Sequence, residues 1–277
     1  MKILILIIAG LLALPMQVLW HATQPHDDVP MGRPRALDTL RVDTWYHLID
    51  PPGFAIGYGE WRRNPLWVSW EVHGEALRPL APRPGHFRCA NNTMMSVCPD
   101  DFTRSGYTRG HLAPNYAMSR LYGRAAQEAS FVMSNISPQR ADLNSRAWQR
   151  LEEWEMDYLR PEGGQRLWVM TGPVFAAAPA SLPAGIAIPS AFWRLWVRYD
   201  PEAAADQRWQ ALGFVVPQEV RGDEDLRTFV TTVDAIEAQI GFDLLHRLDD
   251  ATEIQVEATA DPAHWLPSSV WRRPPRY

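Results

Sequence analysis

The chain holds 277 residues, 46% of them hydrophobic, with 13 tryptophans and a formal net charge of −5 at pH 7. That is enough apolar material for a sizeable core without metal or disulfide staples, and it excludes disorder for most of the length. The length suits one domain or two small ones, and the acidic total argues against a polyanionic partner only if the charge is spread evenly.

It is not spread evenly. Between Arg78 and Arg150 ten arginines stand against four acidic residues, a local +6 that leaves −11 to the remainder. Lys2 is the only lysine, so every other cationic side chain is an arginine. A guanidinium offers a planar fork that matches phosphate oxygens and keeps its charge at working pH.

Residues 1–22 open with Met1-Lys2 and an apolar run that reaches Trp20, the pattern of an export signal. Residues 3–20 are also long enough to stay as one membrane anchor, and both readings put the body outside the cytoplasm, periplasmic or secreted. Residues 23–44 are polar and carry Pro25, Pro30 and Pro34, which reads as a linker. The domain is expected over 45–255. Phe54 to Trp61 and Leu66 to Val72 read as strands, the second alternating Trp67 and Ser69 against Val68 and Trp70. Arg78 to His86 is a proline-rich basic loop. Cys89 and Cys98 could close a disulfide in an oxidising compartment or remain two buried thiols.

Ser130 to Met133 reads as a short buried strand. Asn144 to Arg160 is the clearest helix, with Ala147, Leu151, Trp154 and Tyr158 drawing one apolar stripe. At about 100° per residue Asn144 and Glu152 lie roughly 80° apart, so amide and carboxylate can share a side. Strands follow at Arg166–Thr171, Phe192–Tyr199 and Trp209–Val216, then a helix at Val233–Ile240 stopped by Gly241. Residues 256–277 read as a tail, loose and proline-rich from Trp265 to Tyr277, where weak phosphate attraction by Arg272, Arg273 and Arg276 is the less favoured reading.

Two segments concentrate the chemistry: Tyr107 to Asn115 and Ser134 to Glu152. Phosphodiester hydrolysis needs a base for water, a cation for the charge that builds on phosphorus and the leaving oxygen, and donors that hold the phosphate in line. His111 suits the base, since imidazole is partly neutral near pH 7. Asn144 can offer a carbonyl oxygen to a hard cation. By type alone, a lone histidine after Arg-Gly is more often structural, and an asparagine opening a helix reads first as an N-cap.

Thr108-Arg109-Gly110-His111-Leu112-Ala113-Pro114 resembles the Asp-Arg-Gly-His signature of the DNA/RNA non-specific endonucleases, the ββα-metal (His-Me finger) group that includes endonuclease G. Ser134 to Gln139, Asp142-Leu143-Asn144, Ala147-Trp148 and Leu151-Glu152 are similar to the second block of that family. Thr171-Gly172-Pro173, Ile188 to Trp193 and Phe229 to Glu237 resemble later segments, in family order.

The resemblance implies an α+β fold, a mixed α/β sheet sandwich with a ββα-metal motif. It implies a metal-dependent, sugar-non-specific endonuclease that cuts DNA and RNA to 5′-phosphate ends. His111 would be the general base, Asn144 the protein ligand of Mg²⁺ (with Mn²⁺ as substitute), and Glu152 the carboxylate that orients metal-bound water. Arg109 would clamp phosphate with Arg83 or Arg140, Asn135 would lie on the substrate side, and a homodimer is among the expected partners. Thr108 stands where Asp is commonest, and Met156 where an arginine is usual, with Arg160 a candidate replacement. The rival expectations are a catalytically silent nucleic-acid-binding relative and an exported structural protein that shares only the fold.

Overall fold

A computed structural model describes residues 31–276 of the chain. The expected signal or anchor at 1–22 and the start of the linker lie outside the described residues. The strands are β1 (Arg35–Ala36), β2 (His47–Ile49), β3 (Ala55–Gly59), β4 (Asn64–Val72), β5 (Thr108–His111), β6 (Ile136–Gln139), β7 (Arg166–Val174), β8 (Ala191–Tyr199), β9 (Trp209–Pro217), β10 (Val230–Thr231) and β11 (Phe242–Asp243). The α-helices are α1 (Asn115–Ala117), α2 (Arg124–Ser130), α3 (Gln149–Asp157), α4 (Val233–Ile240) and α5 (Asp250–Glu257).

Seven strands form one sheet in the order β10-β9-β8-β7-β4-β3-β2, and each neighbouring pair is antiparallel. The α+β class expected from the resemblance is what the chain adopts. Period-2 alternation distributes side chains to two apolar clusters, one on each face. On β8, Phe192 and Trp196 join the cluster that holds Trp148, Leu151 and Trp154, while Trp193, Leu195 and Val197 join the one that holds Val233 and Ile236. The expected alternation on β4 is present too: Val68 and Trp70 face the first cluster and Trp67 the second.

The face carrying α3 also holds a buried ion pair. Arg194 of β8 reaches Glu155 of α3 through Nε at 2.5 Å and Nη2 at 2.8 Å, and Trp196 Nε1 donates to the same carboxylate at 2.7 Å. Both charged side chains are fully enclosed. Three hydrogen bonds on one carboxylate offset part of the desolvation cost of such a pair, while Arg194 Nη1 is enclosed without a protein partner.

On the opposite face α4 runs over the span expected. Thr232 caps it by accepting from Ala235 N at 3.1 Å, and Gly241 ends it at φ +77°, the left-handed conformation that glycine adopts without a Cβ penalty.

Three expectations need correction. Ser130–Met133 is not a strand: Ser130 closes α2 with its hydroxyl on Gln127 O at 2.7 Å, and Asn135 Nδ2 takes the Ser130 carbonyl at 2.9 Å. The linker is already packed from Met31, which is buried, and β1 pairs with β11. The C-terminal segment is no loose tail, because Trp265, Leu266, Val270 and Trp271 are buried in the α3-side core. Four large apolar side chains outweigh the extended bias of its prolines; burying each is worth roughly 1.5–3 kcal/mol.

Candidate active site

β5 and β6 pair antiparallel, Thr108 opposite Gln139 and His111 opposite Ile136, and the chain then turns into the helical stretch 143–157. This is a ββα unit. Gly110 is required in it, since a Cβ there would come within 2.0 Å of the Gln139 side chain. The first turns of the helical stretch, Leu143–Trp148, are wound as π-helix before α3 begins. Such wide turns frequently mark functional positions, and this one contains Asn144. The straight-helix angle between Asn144 and Glu152 therefore does not apply, yet both face one cavity.

That cavity has a volume of about 540 Å³ and is lined by Arg83, Arg109, His111, Asn144 and Glu152, with Asn115, Tyr116, Gln149, Glu153 and Arg276 among the others. The structure thus brings together five residues singled out from sequence. It does not bring in Asn135 or Arg140. Asn135 is fully buried and braces the hairpin, its Oδ1 accepting from Ala113 N at 2.9 Å and its Nδ2 donating to Ala113 O at 3.0 Å. Arg140 turns to Glu219 at 3.1 Å and stacks 4.9 Å from the Tyr107 ring centre. Arg160 is turned away too, donating to the Gly74 and Glu75 carbonyls, and Met156 is buried in the apolar core.

His111 is only 9% exposed, its ring centre 5.3 Å from Phe87 and 4.8 Å from Phe131. Burial, then the nearby Arg83 charge, pushes its pKa down to about 3, so the imidazole is neutral at physiological pH. Its Nε2 is enclosed without a protein partner, leaving Nδ1 as the nitrogen able to meet a water in the cavity. Arg83 lies over the Phe131 ring at 5.0 Å. Arg109 lies over Phe87 at 5.7 Å and commits Nε and Nη2 to the Pro99 carbonyl at 3.1 and 2.7 Å. Pro99 follows Cys98, which is disulfide-bonded to Cys89, so a covalent loop fixes the carbonyl that positions Arg109.

Across the cavity, Asn144 Nδ2 donates to Thr108 Oγ1 at 3.0 Å, and the Thr108 hydroxyl donates to Gln139 O at 2.8 Å. The amide nitrogen is therefore held against the hairpin, and the carbonyl oxygen is the end left for a ligand. Burial pushes the Glu152 carboxyl up to about 8; Arg194 opposes the rise, and Glu155 and Glu153 add to it. An amide oxygen beside a carboxyl that two arginines compensate only in part is a donor set suited to a hard divalent ion such as Mg²⁺. The residues present fit that ion.

His111 on the two-stranded hairpin thus faces Asn144 and Glu152 of the following helical stretch across one cavity. The sequence model of the DNA/RNA non-specific endonucleases matches residues 39–251, and the chain belongs to that family. It is similar to a nuclease of Nostoc sp., 23% identical over 239 residues that cover 83% of this chain and 85% of that protein. It is also similar to a nuclease of Serratia marcescens, 28% identical over 199 residues that cover 69% and 72% of the two chains. Among solved structures, a chain of the EndoG/EndoGI complex matches with a TM-score of 0.66 at 19% identity, covering 86% of this chain and 97% of that one, a likeness of fold.

Sequence reasoning left Arg276 in a loose tail, with weak phosphate attraction as its less favoured reading, and missed Gln149 and Glu153. The last two lie on a helix whose polar face was not followed beyond Glu152. Arg276 reaches the cavity only because Trp265 and Trp271 pack, and the recurrence of large apolar residues through the tail was the signal available.

Proposed function

We propose that the protein is a Mg²⁺-dependent endonuclease that hydrolyses DNA and RNA to 5′-phosphate ends, with His111 as general base and Asn144 as the ligand of the ion. The observation that carries this reading is the shared cavity in which a neutral His111 faces the free amide oxygen of Asn144. His111 accepts a proton from the attacking water, and burial leaves the imidazole unprotonated, with a lone pair open to that proton, throughout the neutral range. Arg83 and the cavity-facing part of Arg109 hold phosphate oxygens, and the aromatic rings beneath both fix their planes. When bound, the divalent ion neutralises charge on the phosphate and leaving oxygen. Glu152 orients water on the Asn144 side. Contacts to phosphate oxygens carry no sequence information, and the cationic residues named here are suited to phosphate, which supports breadth of substrate.

We also propose that the domain works in an oxidising compartment, a reading the Cys89–Cys98 disulfide supports. Among the described residues no helix is long and apolar enough to cross a membrane.

Purified protein should nick supercoiled plasmid and degrade RNA at neutral pH with Mg²⁺, and EDTA should stop both. His111→Ala should lower kcat by about 10²- to 10⁴-fold, the usual worth of a positioned base, at unchanged thermal stability. Asn144→Ala should raise the Mg²⁺ concentration needed for half-maximal rate. Intact polynucleotides after incubation with ample Mg²⁺ would overturn the proposal in favour of a silent binding relative.

A further inference from the structure

We propose that Arg276, carried in by the C-terminal segment, is a phosphate-binding residue of this site and supplies the positive charge on its α3 wall. The inference rests on the endonuclease reading. It begins from a deficit: the cavity must hold a polyanion, yet the α3 wall contributes Glu152 and Glu153 and no cation of its own, since Met156 is buried in the core and Arg160 serves two distant carbonyls.

Arg276 meets that deficit, and its place is built. Trp271 is buried against Trp154 with ring centres 5.4 Å apart, and its carbonyl accepts from Arg150 Nη2 at 2.5 Å. Arg272 pairs with Asp225 at 3.0 Å. The four residues between Trp271 and Arg276 include two prolines, which restrict the chain to extended conformations and hold its direction.

At the end of this strap the Arg276 backbone N–H donates to Glu153 Oε1 at 3.1 Å, its Nη2 pairs with Asp157, and its Cζ lies 5.9 Å from the Tyr116 ring centre. Two carboxylates on α3 therefore orient the guanidinium, and its side chain remains 42% exposed. A charged fork that is aimed but still accessible can add a phosphate as a further partner. Arg83 on the histidine side and Arg276 on the α3 side would then grip the same backbone from two directions.

The test compares Arg276→Gln with Arg273→Gln, which removes the same charge three residues earlier, where it contacts Tyr158 OH. Binding of a fluorescent single-stranded DNA is measured by anisotropy in a His111→Ala background with Mg²⁺, across a salt series. Cleavage is measured in the otherwise wild-type background. Arg276→Gln should flatten the slope of log K against log salt by about 0.7, one phosphate contact on a single strand. It should lower kcat/KM by about 10- to 100-fold, with Arg276→Lys recovering part of the loss. Arg273→Gln should change neither.

Equal slopes and equal kcat/KM for the two glutamine variants would overturn the proposal. So would a faster Arg276→Gln enzyme, which would make the strap a cover over the site. If wild-type protein binds DNA but never cuts it, the endonuclease reading fails while the salt slope still decides the role of Arg276.

Discussion

The two walls of the cavity reach the same electrostatic state by opposite shifts. On the hairpin wall, burial takes a base that would be partly protonated near neutrality and strips its proton, pushing His111 down to about 3. On the helix wall, burial takes an acid that would be ionised and keeps its proton, pushing Glu152 up to about 8. Desolvation disfavours whichever form carries charge. The consequences differ: the neutral imidazole keeps a lone pair that can accept a proton, whereas the neutral carboxyl must first give one up before it can bind a cation with full charge.

The walls are also built differently. The hairpin wall is local, with His111 held by four residues of β-pairing and flanked by Phe87 and Phe131. The helix wall is fastened over distance, through Glu155 to Arg194 on β8 and through Arg150 to carbonyls of Gly222, Glu224 and Trp271. Breaking a long-range fastening should therefore do the most damage. Glu155→Ala leaves the Arg194 guanidinium between the Trp70 and Trp148 rings without its ion-pair partner, which should cost about 3–5 kcal/mol by denaturant titration. Glu155→Gln keeps the shape and should cost less. If Glu155→Ala unfolds at the wild-type denaturant midpoint, the helix wall does not depend on this pair.

Thr108 is the joint between the walls, since its hydroxyl accepts from Asn144 and donates to Gln139 O. Thr108→Val keeps the volume and removes the joint. Outer partners of metal ligands are typically worth about 10- to 100-fold in metal affinity or activity. The expected result is a rise of that order in the Mg²⁺ requirement, with the melting temperature changed far less than in Glu155→Ala. An unchanged Mg²⁺ requirement would show that Asn144 is oriented by something other than this hydroxyl.

This contrast explains what could be read without coordinates. His111, Asn144 and Glu152 were legible through short motifs that resemble a family, since by type and spacing alone each had a structural reading, and the long strands were legible because their side chains alternate. Asn135 was misplaced on the substrate side because a buried amide that satisfies both its ends looks, in sequence, like one that binds substrate. Arg140 had the right residue type in a basic stretch, but its pairing with Glu219 is a long-range fact. Arg276 was left in a loose tail for the same reason: its position depends on Trp265 packing on Trp196 and Trp271 on Trp154.

The smallest effect concerns protons, and it separates the walls most directly. Metal-free protein holds the Glu152 proton in the folded chain from its ordinary value of 4.5 up to about 8. The unfolded chain releases that proton near the lower value, so the contribution of Glu152 to metal-free stability falls as pH rises through this window. A divalent ion favours the carboxylate and must expel the proton, so apparent Mg²⁺ affinity should climb by up to about tenfold per pH unit below 8 and level off above it. Calorimetric titration of the His111→Ala protein in two buffers of different ionisation enthalpy reads the released proton, with no cleavage to confuse the signal. Glu152→Gln should abolish both the release and the slope. A slope that persists in that variant would move the linked proton to another group, and His111, already deprotonated above about 3 and removed in this background, could not be the one.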